Sequence, residues 1–288
     1  MLGAMISRRT FLHTLGACAG IGTGITCYTF LVEPTWLEIV RRPLPIRHLP
    51  PALSGCTLAQ LSDIHVSPLV CDEYLLDTFR RIADLRPDIV VFTGDLVSLH
   101  PGWRDHVSAI FEQAPRGRLA TVATLGNHDY GVFWKDPRVA DQTAALVRSC
   151  GITVLRNEVL DGGGLQIVGL DDLWADRFDP IGAFGKVDAN RAAIALSHNP
   201  DTADVPLWGN YEGWILAGHT HGGQCKPPFL PPPVLPVRNR RYTSGEFQLS
   251  GNRRLYISRG VGHSLPVRFN VRPEVTIFDL VPDHPSHT

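Results

Sequence analysis

Five short apolar segments of this chain each lead directly into residues of the kinds that bind metal ions, and this pattern constrains the fold more than any other feature. The segments span residues 58–61, 89–92, 119–125, 194–196 and 214–217. The polar residues that follow them are, in chain order, Asp63 and His65, Asp95, Asn127 with His128 and Asp129, His198, and His219 with His221. Apolar runs of this length predict buried strands, so we expect these side chains at strand ends.

Helical patterns lie between the predicted strands. Residues 74–85 and 139–147 carry apolar side chains at helical spacing. Alternation of strand and helix predicts an α/β fold whose functional residues lie at the strand ends. After Gly222 the chain passes through a proline-rich loop into alternating strands without a helix between them, which predicts a second sheet. These later strands are expected at 247–249, 255–257 and 275–280.

The chain divides into three parts by composition. Residues 33–55 contain Pro34, Pro43, Pro45, Pro50 and Pro51, too many for a helix or a central strand, so this part is predicted to be a linker or an edge segment. We expect residues 1–32 to form a separate leader and residues 56–288 to form one domain.

Each polar motif is weak evidence when taken alone. An isolated Asp-x-His is more often a capped loop, Gly-Asn-His-Asp is compatible with a turn, and His219 with His221 could be a surface pair. In extended backbone, however, residues two positions apart point to the same side, so Asp63 with His65 and His219 with His221 can each clamp one site. Five such motifs in order, each after a predicted strand, therefore favour a metal centre.

The order of these motifs resembles that of the calcineurin-like metallophosphoesterases. The family pattern Asp-x-His, Gly-Asp, Gly-Asn-His-Asp, His, Gly-His-x-His is present from Asp63 to His221 with no ligand position missing. Within that family the chain is similar to the exported bacterial subgroup of YkuE and YaeI, at residues 170–172, 197–201, 221–224, 258–262 and 272–274. The resemblance spans about residues 56–281 and implies a four-layer α/β/β/α fold, in which two packed mixed β-sheets are flanked by helices.

The resemblance also implies a ligand set for two divalent metal ions. Asp63, His65 and His221 would hold one ion, Asn127, His198 and His219 the other, and Asp95 would bridge them. Mixed nitrogen and oxygen ligands suit Mn, Fe or Zn, and the sequence does not choose among them. Two carboxylates against two divalent cations leave the site at about +2, so it attracts an anion.

The implied activity is hydrolysis of phosphate esters by attack of a metal-bridging hydroxide. The expected substrates are phosphodiesters or lipid-linked phosphoesters, and the alternatives are a phosphomonoester or a nucleotide-lipid pyrophosphate. A non-catalytic binding scaffold of this fold is the more distant alternative, and the intact ligand set argues against it.

Four residues are expected to act on the substrate beside the metal ions. His128 is a candidate catalytic residue that binds the phosphoryl group or protonates the leaving alkoxide, and Asp129 is expected either to fix its tautomer or to be a plain turn residue. Asn127 and His128 are predicted substrate contacts. Arg259 is a third candidate contact, with an ordinary surface arginine as the alternative.

The N-terminus has the features of an export signal. Arg8 and Arg9 precede an uncharged, weakly apolar stretch at 10–32, which is typical of a twin-arginine signal and so of export by the twin-arginine machinery. A stretch of this length, left uncleaved, could anchor the protein in a membrane, and 15–18 faintly resembles a lipobox. The predicted location is the periplasm or the outer face of the cytoplasmic membrane.

Two further sequence features concern the partner of this protein. The loop at 227–236 is rich in proline and apolar residues and precedes three arginines, so it is either a rigid lid or a segment that contacts lipid. A nucleic-acid partner is not expected, because residues 57–225 carry 22 acidic against 13 basic residues, a net charge of −9 in a chain with net charge −1.

Overall fold

Twelve strands form the framework of the protein in a computed structural model that describes residues 7–283. In chain order they are β1 (Glu38–Ile46), β2 (Thr57–Leu61), β3 (Ile89–Thr93), β4 (Ala120–Thr124), β5 (Thr153–Val154), β6 (Glu158–Asp161), β7 (Gln166–Gly169), β8 (Ala193–Leu196), β9 (Gly213–Ala217), β10 (Gly245–Gln248), β11 (Arg253–Ile257) and β12 (Glu274–Pro282). The first six residues of the predicted leader and the last five of the predicted catalytic domain lie outside the described residues.

Five α-helices accompany these strands within residues 7–283. They are α1 (Arg8–Cys27), α2 (Asp72–Asp84), α3 (Trp103–Phe111), α4 (Pro137–Ser149) and α5 (Pro180–Phe184). Helices α2, α3 and α4 connect β2, β3, β4 and β5, which pair in parallel, as crossover connections require. Their buried faces repeat at helical spacing, for example Leu75, Phe79 and Ile82 in α2.

The strands form two six-stranded mixed sheets. The first has the order β1-β12-β2-β3-β4-β5, and the second has the order β10-β11-β9-β8-β7-β6. Within the second sheet β7, β8, β9 and β11 run parallel, while β6 and β10 are antiparallel edge strands. The predicted fold of two packed mixed sheets is therefore confirmed.

Three apolar clusters give the molecule its four layers. One cluster lies between the sheets and joins residues of both, including Val91 and Phe278 from the first and Leu216 and Tyr256 from the second. A second cluster buries α2, α3 and α4 on the outer face of the first sheet. The third covers the outer face of the second sheet, where Ala183 of α5 and Trp208 pack. The helices therefore flank the two sheets on opposite sides.

The strands after Gly222 do not form a sheet of their own, which corrects one expectation. Strands β10 and β11 extend the sheet that already contains β9, whereas β12 returns to the first sheet and inserts between β1 and β2. The strand pattern of each segment was predicted, but its partner is decided by contacts far along the chain.

Part of the proline-rich segment is the edge strand of the first sheet. Strand β1 pairs only with β12, in parallel from Glu38 to Ile46, so its outer side needs no backbone donors. Pro43 and Pro45 fit there because an edge strand tolerates residues without an N–H group.

An apolar helix precedes the sheets. In residues 7–283 one helical stretch, Arg8–Thr35, is long and apolar enough to cross a membrane, with a mean hydropathy of 1.5 in its most apolar window. Signal sequences share these properties. Most of α1 is exposed, and the chain continues through a π-turn at Tyr28–Val32 and a short 3₁₀ turn at Glu33–Thr35.

Candidate dinuclear metal centre

The predicted ligands converge at the carboxyl ends of the parallel strands. Registers such as Thr93 with Thr124 and Leu196 with Leu216 align the ends of neighbouring strands, so the loops that follow them meet at one edge of the molecule. The loops after β2, β3 and β4 come from the first sheet, and those after β8 and β9 come from the second. The candidate centre therefore lies where the two sheets meet.

One group of ligand atoms comprises Asp63, His65 and His221. The Nε2 atoms of the two histidines lie 3.1 Å apart, and His221 Nε2 lies 3.3 Å from Asp63 Oδ1. All three side chains are buried. Their ligand atoms are close enough together to surround a single ion.

A second group comprises Asp95, His198 and His219. His198 Nε2 lies 3.2 Å from Asp95 Oδ2 and 3.1 Å from His219 Nδ1. The same carboxylate oxygen of Asp95 is 3.6 Å from His65 Nε2, in the first group. Asp95 is thus the carboxylate that reaches both groups.

Asn127 supplies a further donor atom. Its side-chain oxygen is buried and has no hydrogen-bond partner within the described part of the chain. A buried amide oxygen without a donor is costly, whereas a bound cation would satisfy it. This orphaned oxygen and the mixed set of nitrogen and oxygen atoms fit a centre that holds two divalent metal ions.

The backbone at the candidate ligands is strained. Five of them have positive φ, namely Asp63 (53°), His65 (50°), Asp95 (51°), His219 (70°) and His221 (49°). Residues with side chains rarely adopt this conformation, which costs about 1–3 kcal/mol each and persists where the surrounding structure requires it. Glycine makes the turns possible: at Gly94, with φ of 86°, a β-carbon would lie 2.6 Å from His198 Nδ1.

Hydrogen bonds at the opposite ring nitrogens orient three of the histidines. His65 Nδ1 lies 2.8 Å from Ser98 Oγ, His198 Nδ1 lies 2.8 Å from the carbonyl oxygen of Thr93, and His219 Nε2 lies 2.8 Å from that of Pro236. Each bond leaves the other nitrogen directed at the cluster. Such supporting bonds fix ring orientation and tautomer at metal sites.

Comparison with known proteins identifies the family. The family model "Calcineurin-like phosphoesterase" matches residues 56–223. The chain belongs to this phosphoesterase family. "Phosphodiesterase YaeI" of Escherichia coli strain K12 is 34% identical over 288 residues, with 96% of this chain and 100% of that protein covered.

Two other relatives of this phosphoesterase are similarly complete. "Uncharacterized metallophosphoesterase YkuE" of Bacillus subtilis strain 168 is 33% identical, with 96% of this chain and 98% of that protein covered. "UDP-2,3-diacylglucosamine pyrophosphatase LpxG" of Chlamydia trachomatis is 26% identical, with 85% of this chain and 90% of that protein covered.

Burial sets the protonation state of three candidate histidines in the phosphoesterase. It lowers the pKa of His65 and of His219 to about 3, and it holds that of His221 well below its usual range. These rings are therefore neutral near pH 7 and offer lone pairs to a metal ion. Burial also raises the pKa of Asp63 to about 6, so this carboxyl is mostly ionised at neutral pH.

His198 differs from the other histidines. Burial disfavours its charged form, but contact with Asp95, aided by the charges of Asp63 and Asp172, outweighs burial and raises its pKa to about 10. Burial alone would raise the pKa of Asp95, but nearby charges, chiefly that of His198, hold this pKa well below its usual value. A metal ion bound at His198 must therefore displace a proton.

His128 lies beside the ligands with its side chain half-buried. Its backbone N–H donates to Asp95 Oδ1 at 2.9 Å, which fixes its position relative to the carboxylate that reaches both groups. Its ring stands edge-on to that of His65, with 4.9 Å between centroids. This geometry leaves the imidazole next to the centre and open to a substrate.

Of the two alternatives expected for Asp129, the structure fits a residue of the turn at Asn127–Tyr130. Its carboxylate accepts hydrogen bonds from the backbone N–H groups of Leu96, Val97 and Gly126 at 2.9, 3.1 and 2.8 Å. No contact with the ring of His128 is found among the described residues. Asp129 therefore ties the loop after β3 to the loop after β4, and we assign it a positioning role instead of control of the His128 tautomer.

Arg259 is engaged by carboxylates. Its guanidinium pairs with Glu274 and lies 2.9 Å from Glu38 Oε2. Both partners stabilise its charge but compete with any phosphate, so its role as a substrate contact stays a prediction. Arg268, which sequence reasoning missed, is fully buried and reaches within 3.4 Å of His221 Nδ1. It follows no strand and belongs to no motif, so the sequence carries no signal for it.

Proposed function

We propose that this phosphoesterase hydrolyses phosphodiesters or lipid-linked phosphoesters at a centre of two divalent metal ions. The observation that carries the proposal is the convergence of two ligand groups on Asp95, which lies within 3.6 Å of His65 Nε2 and 3.2 Å of His198 Nε2. The first group would hold one ion and the second, together with Asn127, the other. Mn, Fe and Zn all suit these donors.

The residues have separate tasks in this proposal. When bound, two cations close together supply positive charge to phosphoryl oxygens and lower the pKa of a water molecule. Asn127 and His128 contact the phosphoryl group, and His128 gives a proton to the leaving alkoxide. Asp129 accepts backbone hydrogen bonds that hold the loops of Asp95 and His128 in position relative to each other.

The substrate class is supported by charge and by the relatives. With two ionised carboxylates and neutral histidines, the loaded centre carries about +2 and attracts an anion. One relative is named a phosphodiesterase and another a pyrophosphatase of a nucleotide-linked lipid. A phosphodiester or lipid-linked substrate fits both observations.

Turnover of soluble and lipid substrates tests this proposal. Protein loaded with Mn, Fe or Zn is assayed against bis(p-nitrophenyl) phosphate, p-nitrophenyl phosphate and a nucleotide-diphosphate lipid, with metal-stripped protein as the control. We expect the diester or the lipid to be turned over at least tenfold faster than the monoester, and no activity after stripping. Preference for the monoester would favour the phosphomonoesterase alternative, and no turnover by protein with two bound ions would overturn the proposal.

We further propose that the N-terminal helix holds the centre at a membrane surface. The carbonyl oxygen of Thr29 accepts the backbone N–H of Arg268 at 3.1 Å, and the buried Glu33 carboxylate accepts that of Asn270 at 2.9 Å. Arg268 in turn contacts His221. The end of the apolar helix is thus joined to the segment that supports a candidate ligand, which favours access from a lipid surface.

The proline-rich loop also supports contact with lipid. Phe229, Leu230 and Val234 are exposed in it, whereas Leu235 is buried, and the carbonyl of Pro236 contacts His219. Changing Phe229, Leu230 and Val234 together to Ser should reduce turnover of the lipid in vesicles while bis(p-nitrophenyl) phosphate turnover stays unchanged. Equal effects on both substrates would show that the loop is a rigid lid and not a segment that contacts lipid.

Export by the twin-arginine route is the third part of the proposal. Arg8 and Arg9 begin α1, ahead of its apolar stretch. Changing both to Lys keeps the charge, so the variant should fold and bind metal but remain in the cytoplasm when produced in bacteria. A double variant found outside the inner membrane at the wild-type level would refute this signal.

A further inference from the structure

Two tryptophans stand beside the candidate centre and have no part in the function proposed above. The ring of Trp174 is perpendicular to that of His219, with 4.4 Å between centroids. The ring of Trp134 lies 5.8 Å from that of His128. The two indoles are 5.1 Å apart and inclined at 30°. They form a continuous aromatic surface from a candidate ligand to the candidate proton donor.

This surface is open to solvent. Trp134 is 36% exposed and Trp174 is half-buried, and neither belongs to the apolar clusters that join the sheets and helices. Large aromatic side chains are usually buried for stability, so an exposed pair next to a reaction centre needs another explanation.

The backbone at Trp134 adopts an energetically unfavourable conformation in holding the pair in place. Trp134 has a φ of 60°, a conformation that is a genuine outlier for a bulky residue. Its N–H donates to the carbonyl of Gly131 at 3.0 Å, and the neighbouring Lys135 forms an ion pair with Asp176, two residues after Trp174. The two loops are therefore tied together, and strain of this kind is concentrated at functional sites.

We propose that Trp134 and Trp174 form a binding wall for a planar aromatic or heteroaromatic group of the substrate, attached to the phosphorus that the metal centre holds. This inference rests on the proposed function and specifies its substrate. Indole faces attract the positive edge or the offset face of another ring, an attraction that a saturated group of the same size lacks. The wall therefore selects for planarity as well as for apolar surface.

Two non-hydrolysable ligands of equal charge and similar size isolate this selection. Phenylphosphonate and cyclohexylphosphonate, compared at a pH above the second ionisation of both acids, present the same dianionic group to the metal ions and differ in the planarity of the ring. Their affinities for the metal-loaded full-length protein are measured by calorimetry and by competitive inhibition of bis(p-nitrophenyl) phosphate turnover. We expect phenylphosphonate to bind about 3- to 10-fold more tightly, the range that aromatic pairing gives.

Substitutions of the two tryptophans test whether the preference for phenylphosphonate comes from the wall. Trp134→Leu and Trp174→Leu should each bring the ratio of the two affinities close to one, with metal content unchanged and cyclohexylphosphonate affinity lowered less than that of phenylphosphonate, while Trp134→Phe should retain the preference. Trp36→Leu is the matched control, because Trp36 is 48% exposed and stacks on Arg272 instead of the centre. This control should keep the wild-type ratio.

The outcomes separate this inference from the function on which it rests. Equal binding of the two phosphonates by the wild-type protein would overturn the wall and leave the metal-centred hydrolase intact. Loss of metal together with both ligands in the Leu variants would show a structural role and also overturn it. If the loaded wild-type protein binds neither phosphonate, the proposed function fails, and the wall fails with it.

Discussion

The two ends of the parallel strands differ in how their charges are arranged. An open cavity of about 1060 Å³ lies at the amino-terminal ends of β8 and β9, where its walls include Arg47, Arg191 and Arg254. Each of these arginines has a carboxylate partner, namely Glu212, Asp161 and Asp283 respectively. The positive charge in the cavity is thus already neutralised.

At the carboxyl ends, by contrast, side-chain atoms of the kinds that bind metal ions face one another in place of arginine–carboxylate pairs. Four histidines and two aspartates direct ligand atoms into one buried region. A cavity of this size is a usual candidate for a binding site, but the convergence of metal-type ligand atoms at the carboxyl ends is the stronger sign of chemistry here. We therefore expect function at the carboxyl ends of the strands and not at this cavity.

The largest expected effect comes from Asp95→Asn. The change removes the carboxylate charge that lies close to a histidine ring of each ligand group, so activity should be abolished and metal content should fall to one ion or none, as measured by elemental analysis. Asp283→Asn makes the same chemical change in the opposite cavity and should leave turnover and metal content at wild-type levels. Two tightly bound ions and full turnover in Asp95→Asn would contradict the assignment of the metal centre to the carboxyl ends of the strands.

His128→Ala should slow the reaction without emptying the centre. The expected loss in kcat is about 10²- to 10⁴-fold, the range for general acid–base groups, with both ions retained. His48→Ala is the control, because His48 is an exposed histidine of the opposite cavity. If metal is lost together with activity, His128 is a ligand and its assignment as proton donor is wrong.

Asp129→Asn should have an intermediate effect. The new amide group would face a backbone N–H donor, and a buried donor left without an acceptor costs about 1–3 kcal/mol in the free energy of unfolding. Because the loops at Asp95 and Asn127 lose their link, metal affinity should fall by roughly 10- to 100-fold.

A matched variant exists at the other strand ends. Asp88 accepts the backbone N–H of Thr57 at 2.8 Å, near the start of β3. Asp88→Asn should lower the free energy of unfolding but leave metal affinity unchanged. Denaturation and metal titration of both variants separate the two effects, and equal metal affinities would remove the positioning role of Asp129.

The smallest expected effect is the number of protons released when a metal ion binds. Because the pKa of His198 is raised from 6.5 to about 10 in the metal-free protein, its protonation stabilises the fold below pH 6.5, and this contribution is lost as the pH rises through about 10. Metal binding at pH 8 should release about one proton and tighten as the pH rises. Calorimetry in buffers of different ionisation enthalpy measures the release, and a value of zero would contradict the His198–Asp95 contact.

Much of this end of the molecule was predictable from sequence. Apolar runs such as 58–61 and 89–92 are short, continuous and followed at once by polar motifs, so both the buried strands and the residues at their ends could be predicted. The four-layer fold followed from the resemblance. In contrast, β5, β6 and β7 were missed, and β5 with its two residues is too short to show any period.

Features that depend on distant contacts were not predictable. Pairing of β12 with β1 and β2 joins residues more than 200 positions apart, so no local pattern places it in the first sheet. The bonds of Asp129 to Leu96 and Val97, and the approach of Trp174 to His219, likewise cross between loops. Sequence predicted which polar residues gather at the strand ends, while the contacts that support them required the fold.

Anomalous X-ray diffraction from metal-loaded crystals would show whether the carboxyl ends of the parallel strands hold two metal ions. We expect two peaks about 3.5–4 Å apart, both within bonding distance of Asp95. One peak should lie beside Asp63, His65 and His221, and the other beside Asn127, His198 and His219. A single peak, none, or a peak in the opposite cavity would contradict this assignment.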